Sequence, residues 1–215
     1  MNSAVCLLER SCGLWPDNKA VSDAETTLTY SELRDRSRRA AGALIGELSS
    51  RAPVMVYLPK SADMITGFCA AMYAGRPYVP TDAAAPRGRL EKIISNLAPS
   101  AVITNEALAG NLEGIPGDYK VFLIDELVSR GHDGAEIDSA LKTVTDSDPI
   151  YIMYTSAPPA RPRASPSRTA ACCSSPAGPS APSAGQAGRS SPTRPLSTST
   201  SRSWTSTAPC AAAAT

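Results

Sequence analysis

The chain has 215 residues, a formal net charge of +1 and 42% hydrophobic side chains, which is room for one sizeable domain or two small ones. No apolar run reaches the ~18 residues of a membrane span, no basic-then-apolar leader pattern is present, and the acidic balance of the first part gives no footprint for nucleic acid. The averages cover two unlike segments. Residues 157–215 contain no Asp, Glu, Lys, Val, Ile, Phe or Tyr, one leucine (Leu196) and six Arg, which leaves residues 1–156 at −5. Without large apolar side chains the second segment has nothing to offset the entropy of ordering its backbone. The expected organisation is a folded unit over 1–156 and a disordered, low-complexity tail over 157–215.

The folded part alternates helix and strand patterns. Thr29 with Glu32 three residues on forms a Thr-x-x-Glu capping box, followed at helical spacing by Leu33, Ala40, Ala41, Leu44, Ile45 and Leu48, with Arg34, Arg36, Arg38 and Arg39 mostly on the wet side. Pro53 to Leu58 reads as a buried strand. Ser61 caps a second helix carrying Met64, Ile65, Phe68 and Met72, and Gly75 stops it. Tyr78 to Pro80 is a short strand ending in the turn residues Thr81 and Asp82. A third helix follows Pro86 with Leu90, Ile93, Ile94 and Leu97 on one face. Ala101 to Thr104, Val121 to Ile124 and Ile150 to Thr155 complete the strands. Continuous apolar strands between amphipathic helices predict an α/β fold, a mainly parallel sheet flanked by helices, with any ligand beyond the carboxyl ends of the strands. Ser156 lies at such an end.

The six cysteines (Cys6, Cys12, Cys69, Cys172, Cys173 and Cys210) form no C-x-x-C pair, and His132 is the one histidine. The spacing predicts reduced thiols in a cytoplasmic protein and no metal centre.

Four segments carry a resemblance. Leu28-Thr29-Tyr30-Ser31-Glu32-Leu33 is similar to the L-T-Y-x-E-L opening of adenylate-forming enzymes. Tyr73 to Asp82 resembles their A-G-x-x-Y-V-P-x-D segment. Pro86-Arg87 and the helix after it approximate the P-x-x-R-x-x-x-I-I region of the amino-acid-activating branch, as in nonribosomal peptide synthetases. Tyr151 to Ser156 then looks like the strand leading into the family's phosphate loop, Y-T-S-G-S-T-G-x-P-K-G. The resemblance covers about Leu7 to Ser156. It implies the N-terminal part of an adenylation domain, with ATP and Mg²⁺ as cofactors of the intact family and an amino acid and a phosphopantetheinyl carrier protein as its partners. Thr155 and Ser156 are the implied remnant of the ATP phosphate loop. Thr29, Glu32, Gly75 and Pro80 fit structural roles in caps and turns, so no catalytic residue is assigned.

After Ser156 the pattern breaks. Gly-Ser-Thr-Gly and Pro-Lys-Gly are replaced by Ala157-Pro158-Pro159-Ala160-Arg161-Pro162-Arg163-Ala164. Pro158 and Pro159 carry no N–H for a phosphate, and no Lys follows. A shifted reading frame accounts for the break. If one base is missing after the Thr155 codon, each restored codon joins the last base of one residue to the first two of the next. The string S-G-S-T-G-T-P-K-G-V is then permitted directly after Thr155. Trp204-Thr205 restores Asp, Cys172-Cys173 restores Leu, and residues 197–211 permit V-D-F-D-V-S-L-V-D-L-Y-G-A-L-R, similar to the family's F-D-x-S segment. The expectation is a truncated, inactive member of the family. The alternatives are a genuine Pro/Ser/Ala-rich linker, a non-enzymatic α/β binding module with a flexible tail, and a basic tail for anionic surfaces, against which stands the dispersal of its six Arg.

Overall fold

The computed structural model describes residues 4–131, 134–145, 147–155 and 163–168, with Thr155 and 163–168 described by backbone alone. The chain divides into two units, Met1–Pro176 and Ala177–Thr215, and every described residue lies in the first. In chain order the elements are α1 (Val5–Leu14), β1 (Lys19–Ser22), β2 (Thr27–Thr29), α2 (Tyr30–Glu47), β3 (Val54–Leu58), α3 (Ala62–Tyr73), β4 (Tyr78–Asp82) and α4 (Arg87–Leu97). There follow β5 (Ala101–Thr104), α5 (Glu106–Ala109) with a 3-10 turn at Gly110–Leu112, β6 (Lys120–Leu123), α6 (Ile124–Ser129), α7 (Gly134–Lys142), β7 (Pro149–Thr155) and β8 (Arg163–Arg168).

The main sheet has the order β6-β5-β3-β4-β7-β8. Strands β3 to β7 are parallel, and β8 is antiparallel to β7. Because strand side chains alternate between faces, β3 feeds two cores. Val54, Val56 and Leu58 join Ala101, Ile103 and Phe122 under α2, α3, α6 and α7. Met55 and Tyr57 join Val102 on the other face, against Leu90, Ile93 and Ile94 of α4 and Leu112 and Ile115. The connections that step towards β7 pass over the first face, and those that step towards β6 pass over the second. This is the single handedness expected of parallel crossovers. The predicted α/β sheet with helices on both faces is present.

Local chemistry sets the helix ends. The Thr29 hydroxyl accepts the Glu32 N–H at 3.3 Å, and the Glu32 carboxylate accepts the Thr29 N–H at 2.8 Å, a reciprocal capping box. Helix α3 stops in a Schellman arrangement. The Gly75 N–H donates to the Met72 carbonyl and the Arg76 N–H to the Ala71 carbonyl, with Gly75 at φ +66°, a conformation that glycine adopts without strain. Four helices are tied together at one buried phenol. Tyr73 Oη donates to Glu9 at 2.6 Å, Arg38 pairs with Glu9 at 3.2 Å and with Asp138 at 3.8 Å, and its guanidinium lies 5.6 Å from the Tyr73 ring centroid. Burial first, then Glu9, holds the Tyr73 phenol protonated.

Several expectations need correction. Arg36 and Arg38 are half-buried rather than on the wet side, because they face carboxylates on α3 and α1: Asp63 at 2.7 Å from Arg36, and Glu9. Thr81 and Asp82 belong to β4, where they pair in register with Tyr57 and Leu58. Ile124 begins α6 instead of ending β6. Strands β6 and β7 are less enclosed than their apolar sequences suggest, with Val121 and Met153 exposed. The tail was expected to carry no regular structure, yet β8 pairs with β7 from Pro149↔Arg168 to Thr155↔Arg163. A strand edge offers unpaired N–H and C=O groups to any backbone, whatever its side chains, and an edge position tolerates Pro166. The rest of the expected disordered tail, with Cys172, Cys173 and Cys210, and also His132, lies outside the described residues.

The Glu32 and Asp23 carboxyls are each held below their ordinary values of 4.5 and 3.8, mainly by backbone N–H donors, from Thr29 to Glu32 and from Ala62 to Asp23. A depressed folded-state value gives stability that is present above the ordinary value and lost as pH falls through the folded one. Thermal melts should therefore lose stability below about pH 4.5. The variant Thr29→Ala should unfold about 1 kcal/mol more easily at pH 7 in urea titrations and show a smaller further loss on acidification.

Candidate phosphate-binding site

The parallel strands end along one edge of the sheet, with Leu58 level with Asp82 and Thr104 level with Leu123. Most donors there are already engaged. The amino end of α3 is satisfied by Ser61, whose Oγ accepts the Met64 N–H, and by Asp23, whose Oδ2 accepts the Ala62 N–H at 2.7 Å. That helix terminus is therefore closed to an anion. Tyr57, fully buried on β3, donates to the Ala83 carbonyl at 3.1 Å and accepts from Asn111 Nδ2 at 3.1 Å. One phenol thus pins the connections after β4 and after β5. The buried hydroxyls of Thr81 and Thr104, near the ends of β4 and β5, have no hydrogen-bond partner among the described residues.

Thr155 is the last residue of β7, and β8 begins at Arg163, its direct cross-strand partner. Ser156 lies outside the described residues. In sequence the seven residues 156–162 join these two strand ends, and they lie outside the described residues. Alongside, β4 and β7 are registered at Tyr78↔Tyr151, and among the described residues no pairing extends this ladder towards Asp82 and Thr155. Tyr154 anchors the end of β7: its ring packs on the second core, its hydroxyl receives Asn96 Nδ2 at 3.4 Å, and burial pushes its phenol pKa up. A strand that ends in a seven-residue connection at this edge is where a phosphate loop would stand.

The AMP-binding enzyme model matches residues 8–175. The chain belongs to the AMP-binding enzyme family. It is 34% identical over 160 residues to N-(5-amino-5-carboxypentanoyl)-L-cysteinyl-D-valine synthase of Amycolatopsis lactamdurans, covering 74% of this chain and 4% of that protein. It is 31% identical over 149 residues to D-alanine–D-alanyl carrier protein ligase of Bacillus licheniformis, covering 69% of this chain and 29% of that protein. The chain thus spans less than a third of either relative. Among solved structures, VinN in complex with 3-methylaspartate aligns with TM-score 0.64 at 26% identity, over 76% of this chain and 46% of that one. The N-terminal subdomain of Klebsiella oxytoca NpsA aligns with TM-score 0.64 at 17% identity, over 78% and 42% of the two chains, and shows the shared fold alone. The described residues correspond to the N-terminal part of an AMP-binding domain.

The family match runs past Ser156, where the motif-based resemblance ends, to residue 175. One reason is visible without any change of frame. Counted from Tyr154-Thr155-Ser156, the motif's Pro-Lys falls on Pro162-Arg163, so a cation occupies the Lys position at the first residue of β8. In the shifted frame the same Arg163 codon restores the motif's Lys. Sequence reasoning did not single out Tyr57, Thr81 or Thr104 as polar groups of this edge, since in sequence each is one residue of an apolar strand. Among the described residues no group of His, Cys, Asp and Glu could hold a metal ion, and no helix is long and apolar enough to cross a membrane. Cys6, Cys12 and Cys69 form no disulfide among the described residues; burial pushes the Cys69 thiol up to about 12, so it is not a nucleophile at neutral pH.

Removing the Tyr57 hydroxyl should loosen both connections it pins. The variant Tyr57→Phe should lose about 1 kcal/mol of stability in denaturant titrations. Amide exchange should accelerate around Ala83 and Asn111 and remain unchanged at Tyr73.

Proposed function

We propose that residues 8–155 derive from an enzyme that activates an amino acid with ATP, and that this chain does not itself perform the reaction. In that reaction a carboxylate oxygen attacks the α-phosphorus of ATP and pyrophosphate leaves; the phosphopantetheine thiol of a carrier protein then attacks the carbonyl of the aminoacyl adenylate, taking the aminoacyl group as a thioester and releasing AMP. Support comes from the family match and from relatives whose names are those of a peptide synthase and a carrier protein ligase. The observation that carries the proposal is the β7–β8 connection itself. In sequence it follows Thr155, the last residue of β7, and begins with Ser156, and these two residues are the proposed remnant of the phosphate loop.

The residues of that connection do not fit ATP. Pro158 and Pro159, which stand where the motif has Ser and Thr, contribute no N–H, whereas a phosphate cradle is made from successive backbone N–H groups. Each missing charge-assisted hydrogen bond weakens binding by about 1.5–3 kcal/mol. Arg163 retains a positive charge but no small, mobile ammonium group. No ATP or Mg²⁺ step is assigned to this chain. A one-base displacement of the reading frame after Thr155 explains how an otherwise matching domain came to carry two prolines where the motif has Ser and Thr.

Amino-acid-dependent ATP–pyrophosphate exchange tests both statements. The 215-residue chain should show none with any amino acid. A gene with one base restored at the third position of the Ser156 codon, which leaves Ser156 unchanged, should read through to a chain of family length and exchange pyrophosphate with at least one. Turnover by the unmodified chain, or an early stop codon in the corrected frame, would overturn the proposal. An open corrected frame whose product exchanges with no amino acid would favour the alternative, a non-enzymatic α/β binding module.

A further inference from the structure

At the edge of the sheet opposite the phosphate loop, a cavity of about 370 Å³ lies against the amino ends of β3, β4 and β7. Its wall is largely apolar, formed by Val5, Met72, Val144, Ile150 and Ile152. Two guanidinium groups also line it, those of Arg51 and Arg76. Neither has a carboxylate within 4.0 Å among the described residues; the ion pairs formed there use other arginines and one lysine.

Arg76 is 6% exposed. It donates to the Leu48 carbonyl at 2.8 Å and to Ser100 Oγ at 3.4 Å, while its Nε is buried with no partner among the described residues. Such an orphaned donor on a charged group is costly unless something accepts from it. Arg51 stands beside it, donating to the carbonyls of Gly75 and Thr143 at 3.1 and 3.3 Å. Burial, and then the Arg51 charge, both disfavour the Arg76 cation. The first turn of α1 reaches the same cavity through Ala4 and Val5, with no side-chain cap at Ala4 and no acidic residue in that turn. The positive end of its dipole adds to the same field. Among the described residues the one acid in the lining is Asp148, whose carboxylate accepts the Thr145 N–H at 2.8 Å. Two cations and one anion leave room for a single further negative charge.

We propose that this cavity is a second binding site, for a small organic monocarboxylate. The ligand's apolar chain lies along Ile150 and Ile152, and its carboxylate meets the Arg51–Arg76 pair. Inorganic phosphate would leave the apolar wall unused, and a neutral molecule would leave the two guanidinium charges unanswered. The site lies at the other end of the strands from the proposed nucleotide loop and is independent of whether that loop works.

Calorimetric titration of the 215-residue chain with hexanoate, against hexanamide as the neutral probe of the same length, tests it. Hexanoate should bind about tenfold or more tightly than hexanamide, one charge-assisted contact's worth. Arg51→Gln should remove that preference. Met72→Trp, which fills the cavity without touching either arginine, should abolish binding of both. Circular dichroism of both variants should match the parent; Arg76 is left in place because it caps the Leu48 carbonyl. Equal affinity for the two probes, no hexanoate binding at millimolar concentration, or binding unchanged in either variant would overturn the proposal.

Discussion

Every side chain of β3 is buried, and the rest of the sheet depends on that. A five-residue strand with no solvent face must have helices on both sides, so its alternation divides the protein into two cores: Val54, Val56 and Leu58 in one, Met55 and Tyr57 in the other. Gly67 of α3 lets that helix approach closely, since a Cβ there would stand 3.2 Å from Val56 Cγ1. With β3 fixed between β4 and β5, crossover handedness determines which face each later helix covers. The carboxyl ends of the strands then fall along one edge. The position of the carboxyl end of β7 follows from the burial of β3 rather than from any residue beyond Thr155.

The parts of the fold that were legible in the sequence are those where one local force decides. The capping box at Thr29 and Glu32, the glycine stop at Gly75 and the one-sided apolar stripe of α4 each depend on residues within a turn of one another. The misjudged parts depend on distant neighbours. Arg36 and Arg38 looked solvated until α3 and α1 brought Asp63 and Glu9 against them. Ile124 looked like the end of a strand because an apolar run does not show where helical hydrogen bonding begins. β8 was invisible for another reason: Arg163 to Arg168 has no strand-like side chains, and what places it is the free backbone edge of β7. At the site, a motif pointed to Thr155, while Tyr57 needed the sheet to show which positions share an edge.

The same sheet serves two electrostatic tasks at its two ends. At the carboxyl edge the family's loop relies on backbone N–H groups, which cannot be replaced by side-chain charge when prolines remove them. At the amino edge, Arg51 and Arg76 share a cavity whose only acid among the described residues already accepts a backbone N–H. Neither end disturbs the cores between them, which is why a chain with an altered loop retains the fold of its relatives.

The statement on which the functional proposal turns is that the connection after Thr155 has lost its phosphate-binding donors while the sheet that presents it is intact. The most direct measurement is MgATP affinity by calorimetry for the 215-residue chain and for one carrying Ala157→Gly, Pro158→Ser, Pro159→Thr and Ala160→Gly. Two restored charge-assisted hydrogen bonds are worth upwards of about 3 kcal/mol, or roughly a hundredfold in affinity. The repaired chain should therefore bind MgATP at least about tenfold more tightly than the parent, even if half of that gain is spent on ordering the loop. Equal affinities for the two chains would contradict the proposal, and so would tight MgATP binding by the parent.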